Sequence, residues 1–288
     1  MSRPEHQAPP DIFYNQQEAR KYSLNSRVAA IQTQMTLRAL QLLNLPGDKA
    51  LLLDIGCGSG LSGQVIEEHG HLWCGMDVSK DMLDVASEQG SSGDLVLSDI
   101  GQGVPFRPGT FDGAISISVI QWLCNADKSS HVPRKRLTAF FSTLYSSLTR
   151  GARAVFQFYP ESPAQIEMIV ASATRAGFSG GLVIDYPNST KAKKYFLCLF
   201  AGSNSIQEAK QQKIPEGLGT DHDQEAASSV LYSSERQRRS VGGLGARGKK
   251  GSISDKQWIL KKKELYRKRG VKTASDSKFT ARKRKPRF

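Results

Sequence analysis

The chain has 288 residues, enough for one sizeable α/β core with an appendage. Residues 1–202 carry 18 Lys and Arg against 18 Asp and Glu, while residues 203–288 carry 22 against 9, so the whole formal charge of +13 falls in the last 86 residues. The chain opens polar and Pro-rich, contains no apolar run near ~18 residues, has no C-x-x-C pair among its four cysteines and no ligand spacing among its five histidines; this argues against a signal peptide, a membrane span, a disulfide framework and a structural metal, and leads us to expect a soluble protein of a reducing intracellular compartment.

In chain order, residues 15–45 place Val28, Ile31, Met35, Leu37, Leu40 and Leu43 at helical spacing, stopped by Pro46-Gly47. Residues 51–55 read as a buried parallel strand, followed by a glycine loop and a helix over 61–68. A second strand over 71–77 ends in Asp77, and Ser79 caps the next helix with an acid in its first turn. A third strand over 95–100 contains Asp99, and after a turn-rich connection a fourth runs over 111–119. Residues 131–149 form an amphipathic helix ending on a basic turn and Gly151, and residues 154–159 a fifth strand. A helix over 163–176 has Gly177 behind it, and strands at 182–184 and 195–201 close the order. Seven strands alternating with helices predict a doubly wound, mostly parallel seven-stranded sheet, with ligands at the carboxyl ends of its strands.

The glycine loop carries the first chemical signal. Glycines at 56, 58 and 60 let the backbone turn sharply and approach a ligand with no Cβ in the way. Gly63 completes a G-x-G-x-x-G spacing, but an acid two residues before the first glycine is foreign to the dinucleotide fingerprint. Asp54-x-Gly56-x-Gly58-x-Gly60 resembles instead the first motif of the class I S-adenosylmethionine (SAM) methyltransferases. Asp77, 23 residues beyond Asp54, sits near the spacing of a ribose-binding acid. Asp99 lies at the end of the third strand, where that family contacts the adenine amine. Alone, each acid is an ordinary strand-end or capping residue; three in register argue for the cofactor.

The residues after the fourth strand narrow the acceptor atom. Ser116 to Trp122 contains no polar-Pro-Pro-aromatic turn for an exocyclic amine, and Cys124 lacks the Pro-Cys setting of a C5 nucleophile and reads as packing. A ring nitrogen such as guanine N7 has an in-plane lone pair and no proton to lose, so it needs positioning rather than a base. Gln121 and Trp122 would offer it an amide and an aromatic plane; Trp122 reads equally well as a hydrophobic lid on the sheet.

Strings at 10–15, 21–27, 98–112, 120–128 and 157–161 together resemble the eukaryotic small-subunit (18S) rRNA guanine-N7 methyltransferases of ribosome biogenesis. The resemblance implies methylation of one guanosine in nuclear pre-ribosomal particles, with a small zinc-binding activator protein as partner in a heterodimer. It further implies that Asp54, Gly56, Cys57, Gly58, Asp77, Asp99, Ile100 and Ser116 bind SAM, that Tyr22 and Arg27 cover its pocket, and that Gln121 and Trp122 face the base, with no metal in this chain. The expected organisation is an N-terminal helical cover over 1–46, the SAM domain over 47–202, a flexible linker over 203–252 and a basic helix and tail over 253–288. The tail carries import-like clusters such as Arg282 to Arg287, which favour RNA over a membrane surface. The third strand, the short apolar Leu95-Val96-Leu97 run without Lys or Pro, is expected at a sheet edge, open to the activator. Two other readings stay open: an assembly factor that uses the SAM fold as a platform with methylation dispensable, and a small-molecule methyltransferase, which would not need this tail.

Overall fold

The computed structural model of the chain describes residues 3–45, 47, 49–128, 130–202, 214–219 and 229–232, with isolated positions 260, 263, 267, 273 and 275. It divides into two compact units, Met1–Arg236 and Gln237–Phe288. The first begins with α1 (Pro10–Phe13), α2 (Gln16–Leu24) and α3 (Ser26–Leu43), followed by β1 (Leu51–Ile55), α4 (Leu61–Glu68), β2 (Leu72–Asp77), α5 (Lys80–Glu88) and β3 (Asp94–Leu97). It continues through β4 (Phe111–Ile117), α6 (Pro133–Ser147), β5 (Leu148–Phe158), α7 (Pro163–Ala176), β6 (Ser179–Asp185), β7 (Lys194–Phe200) and β8 (Ser229–Tyr232).

The strands form one sheet in the order β3-β2-β1-β4-β5-β7-β6-β8. The run from β3 to β5 is parallel, and β7 and β8 are antiparallel to their neighbours. Alternation sorts the side chains onto two faces. Leu53, Ile55, Phe156 and Phe158 meet α6 and α7 through Phe140, Phe141 and Ile169, while Leu52, Val155, Phe196 and Phe200 meet α3 and α4 through Leu42, Leu43 and Ile66. The parallel strands therefore all end along one edge, and the strand order reverses between β1 and β4, which leaves a crevice there.

Three local expectations are corrected. The predicted single helix over 15–45 is broken at Asn25, whose N–H closes α2 onto Tyr22 O at 3.3 Å and whose Oδ1 accepts the N–H of Arg27 and Val28 at 3.1 and 3.2 Å. α6 ends at Ser147 rather than at Gly151, because Leu148 already pairs with Phe111 and residues 149–151 lie within β5 across a register shift. And the sheet gains an eighth strand from the residues read as a flexible linker: β8 pairs with β6, matching Gly180 with Tyr232 through Val183 with Ser229.

A neighbouring segment of that linker is also held to the body. Ile214 is buried beside Phe196 and Phe200. The nearly buried Arg38–Asp185 ion pair, at 3.0 Å, gathers the segment, Arg38 Nη2 donating to Glu216 O and Asp185 Oδ1 accepting from Leu218 N. In the second unit, Leu260, Lys263 and Arg267 are helical, in keeping with the helix expected near the chain's end. Lys263 Nζ reaches Ser275 O, and Arg267 Nε reaches Thr273 Oγ1. The rest of that helix, the remainder of the 203–252 stretch and the Arg282 to Arg287 cluster lie outside the described residues.

These contacts tie residues 214–219 and 229–232, beyond the expected domain end at 202, to the body. Burial of Ile214 alone is worth about 1.5–3 kcal/mol. A chain cut after Gly202 should thus be less stable than one cut after Arg236 by at least ~2 kcal/mol; equal denaturant midpoints for the two would contradict this.

Candidate functional site

The crevice is built around the glycine loop between β1 and α4. Gly56, Gly58 and Gly60 take φ of 74°, 53° and 84°, the left-handed region. Their missing side chains also make room, since a Cβ on Gly56 would lie 2.2 Å from Val119 and one on Gly58 2.9 Å from Met82. Gly63 serves packing: a Cβ there would stand 2.1 Å from the Trp73 ring, so the glycine lets α4 lie close on β2. The loop backbone is tied to β2 by Gly56 N and Cys57 N donating to Met76 O at 2.7 and 3.1 Å.

Asp77, at the end of β2, organises the centre. Its Oδ2 accepts Gly58 N at 2.9 Å and its Oδ1 accepts Ser79 N at 2.8 Å. Burial raises its pKa, against the lowering effect of these N–H groups. Below the loop, Asp54 is buried, with Oδ2 accepting the Ser62 hydroxyl at 2.5 Å and Oδ1 without a partner among the described residues. Burial pushes its pKa up to about 7, opposed by the Ser62 bond and helped by the Asp77 charge. On the far side, Asp99 Oδ1 accepts both Gly101 N at 2.8 Å and Arg136 Nη2 at 2.6 Å.

The N-terminal helices close the crevice from above. Ala19 is buried against Met82 and Val85 of α5, with Tyr14 and Tyr22 packed on them, and Ser79 Oγ donates to Tyr14 O at 2.7 Å. Tyr14 meets Tyr22 edge-on at 5.9 Å and Trp122 at 6.1 Å. Burial first, then the charges of Asp77 and Glu5, push the Tyr14 hydroxyl up to about 12, so it stays protonated at neutral pH.

Of the residues expected at the site, Tyr22, Gly56, Cys57, Gly58, Asp77, Asp99, Ile100 and Trp122 line this cavity together. Asp54, Ser116, Arg27 and Gln121 do not. Asp54 supports the loop from beneath; Ser116 Oγ donates to Ile55 O at 2.9 Å and ties β4 to β1. Arg27 lies exposed on the first turn of α3. Gln121 is buried, its Nε2 donating to Ser118 O at 2.9 Å, and lines an adjoining cavity. That second cavity shares Tyr14, Ser118 and Trp122 with the first and adds Arg3, Pro4, Glu5, Gln121 and Tyr159. Ser118, at the junction, holds a positive φ of 64°, a conformation uncommon for a residue with a Cβ. Sequence reasoning missed Tyr14, Gln32, Ser118, Arg136 and the Arg3–Glu5 pair. Tyr14 lay within one of the resembling strings, and the others carried no local signal. Among the described residues no group of three or more His, Cys, Asp or Glu is placed to hold a metal.

A cavity walled by a glycine loop, with acids at the ends of two further strands, fits SAM: carboxylate acceptors for its hydroxyl and amine groups on one side, apolar Met82, Ile100 and Leu123 on the other. Comparison with known proteins agrees. Residues 53–156 match the methyltransferase domain family, and residues 199–286 match the family described as methyltransferase involved in Williams-Beuren syndrome. The 18S rRNA (guanine-N(7))-methyltransferase of Mus musculus is 54% identical over 99% of this chain and 98% of its own. A probable 18S rRNA (guanine-N(7))-methyltransferase of Dictyostelium discoideum is 55% identical over the full length of both. The 18S rRNA (guanine(1575)-N(7))-methyltransferase of Saccharomyces cerevisiae is 50% identical, again over the full length of both. Among solved structures, the Haemonchus contortus phosphoethanolamine N-methyltransferase 2 in complex with SAM superposes with a TM-score of 0.52 at 18% identity, covering 70% of this chain and 61% of that one, a likeness of fold.

Asp54 makes stability depend on pH in a stated direction. Its folded pKa of about 7 lies above its ordinary 3.8, so between those values the folded chain holds a proton that the unfolded chain has released. Stability therefore falls as pH rises through that window, by at most ~1.4 kcal/mol per pH unit from this group, and levels above about 7. Asp54→Asn removes the titration, so its stability relative to the native chain should increase from pH 5 to pH 8 in ligand-free protein; a constant difference in denaturant melts would refute the assignment.

Proposed function

We propose, from the premise that this chain belongs to the 18S rRNA (guanine-N7)-methyltransferase family, that it transfers a methyl group from SAM to N7 of a guanosine in small-subunit rRNA during ribosome biogenesis. The observation that carries the reading is the pair of adjoining cavities with Tyr14, Ser118 and Trp122 as a common wall, one lined by the glycine loop and Asp77, the other open for a base.

Gly56, Cys57 and Gly58 would hold the methionine part of SAM, Asp77 the ribose hydroxyls, and Asp99 with Ile100 the adenine. Both of Asp99's hydrogen bonds fall on Oδ1, which leaves Oδ2 for an amine donor. Bound there, SAM supplies an electrophilic methyl group on a sulfonium. The rest is positioning. N7 has a free lone pair and no proton to remove, so the chain need only hold the base in plane and keep water out, and Tyr14, Trp122 and Tyr159 offer aromatic faces for that. The protonated Tyr14 hydroxyl and the buried, uncharged Cys57 thiol add no competing nucleophile.

The partner and address are part of the same proposal. β3 lies at the end of the sheet with Leu97 56% exposed, which suits strand addition by the zinc-binding activator protein. The last 52 residues, 237–288, carry 19 Lys and Arg against 3 Asp and Glu, or +16, and leave the first 236 residues at −3. Such a tail suits phosphate neutralisation on pre-ribosomal RNA and import into the nucleus.

Asp77→Ala removes the ribose acceptor and the acceptor of two backbone N–H groups, so SAM affinity should drop by ~2–4 kcal/mol. N7-methylguanosine should then disappear from 18S rRNA in cells carrying only that variant, even if ribosomes still assemble; wild-type affinity by calorimetric titration would end the assignment. The sheet edge is tested separately. Ser98 N donates to Asp77 O, so by strand alternation Val96 N points to β2 and Leu97 N points away from the sheet. Leu97→Pro should abolish co-purification of the activator at little cost to the fold, whereas Val96→Pro should damage β3 itself; intact complex with Leu97→Pro would exclude this edge.

A further inference from the structure

The second cavity contains one group that the methyl-transfer reading leaves unused. Glu5 lies in a short turn, Pro4–His6, and its side chain is only 7% exposed, yet it makes no hydrogen bond among the described residues. Its single charged neighbour among them is Arg3, with Nη1 at 3.6 Å, beyond hydrogen-bond reach. Arg3 spends its donors elsewhere, Nη1 on Tyr159 O at 2.9 Å and Nη2 on Pro160 O at 3.2 Å. Glu5 lines the cavity beside Tyr14, Trp122 and Tyr159, and no donor among the described residues is hydrogen-bonded to its carboxylate, which leaves it open to a ligand's N–H groups.

Guanine is the nucleobase whose Watson–Crick edge presents two adjacent donors, N1–H and N2–H, matching the two oxygens of a carboxylate. Adenine offers an acceptor at N1, and cytosine and uracil offer no such pair. N7 lies on the opposite side of the bicycle, so a base held by its N1 and N2 edge keeps N7 free for the wall shared with the cofactor cavity. We propose that Glu5 is the specificity residue of the methyl transfer, its carboxylate accepting N1–H and N2–H of the extruded guanosine while the ring stacks on the Tyr14, Trp122 and Tyr159 wall. Arg3, anchored on the carbonyls of residues 159 and 160, positions that carboxylate over the cavity. The inference rests on the guanosine-N7 reading given above and deepens it.

The test is single-turnover methylation by the full chain, co-purified with its activator, of an 18S rRNA fragment carrying either guanosine or inosine at the target; inosine keeps N7 and N1–H and lacks the N2 amine. The native chain should favour guanosine over inosine by ~10-fold or more, the worth of a hydrogen bond to a charged acceptor. Glu5→Gln should lose ~10- to 100-fold on guanosine and far less on inosine, so that the preference collapses, with SAM affinity unchanged by calorimetry. Glu5→Asp, which keeps the charge and withdraws it by one methylene, should show the same collapse in weaker form and serves if the glutamine variant does not fold. A native chain indifferent to inosine, or Glu5 variants that lose equally on both RNAs or not at all, overturns the proposal. A native chain that binds SAM and methylates neither RNA overturns the guanosine-N7 reading instead, which separates the two failures.

Discussion

One carboxylate ties the site together. Asp77 sits where β2 ends, and its two oxygens accept N–H groups from the glycine loop and from the start of α5, so a single side chain fixes the distance between two crossovers of the sheet. The loop's left-handed glycines tolerate several paths; this carboxylate, together with Met76 O, selects one of them. The arrangement is set in a buried, electrostatically costly place, with Asp54 beneath it raised toward neutrality by the same burial.

Much of this was legible in the residues because it is local. An apolar run that ends in an acid and alternate glycines specifies a strand, a tight turn and a helix within about a dozen positions, and β1, the loop and α4 conform to it. Ser79 and Gly177 cap α5 and α7 as their types require. The features that escaped were decided at a distance. Arg150-Gly151 has the chemistry of a helix end, but Gly151 N donates to Ala201 O and its positive φ serves an irregularity in β5 instead. Asn25 carried a capping signal, drowned by the apolar periodicity on either side of it. β8 and residues 214–219 are recruited by partners about 30 to 180 residues away, Gly180, Asp185 and Arg38 among them, and no short-range pattern encodes such pairing.

The site divides in the same way. Residues expected from the glycine motif and from strand ends do converge on one cavity, because parallel strands deliver their carboxyl ends to one edge. Asp54 and Ser116 belong to those strands but face inward, since alternation turns every second residue away from the crevice. Arg27 came with the family likeness alone and lies in solvent, whereas Gln121, expected to face the base on chemical grounds, lines the neighbouring cavity beside Trp122. The tail is matched by a family model of its own over residues 199–286, so body and tail are both characteristic of the family.

The N-terminal segment reaches past either cavity taken alone. Pro10, Tyr14, Tyr22 and Gln32 roof the first, while Arg3, Glu5 and again Tyr14 wall the second, and all of them belong to one stretch of fewer than 35 residues. Whatever orders or displaces that stretch alters both cavities at once. A cofactor in the first cavity that firmed this roof would thereby prepare the wall of the second, and by reciprocity a base in the second would raise the cofactor's affinity by the same factor.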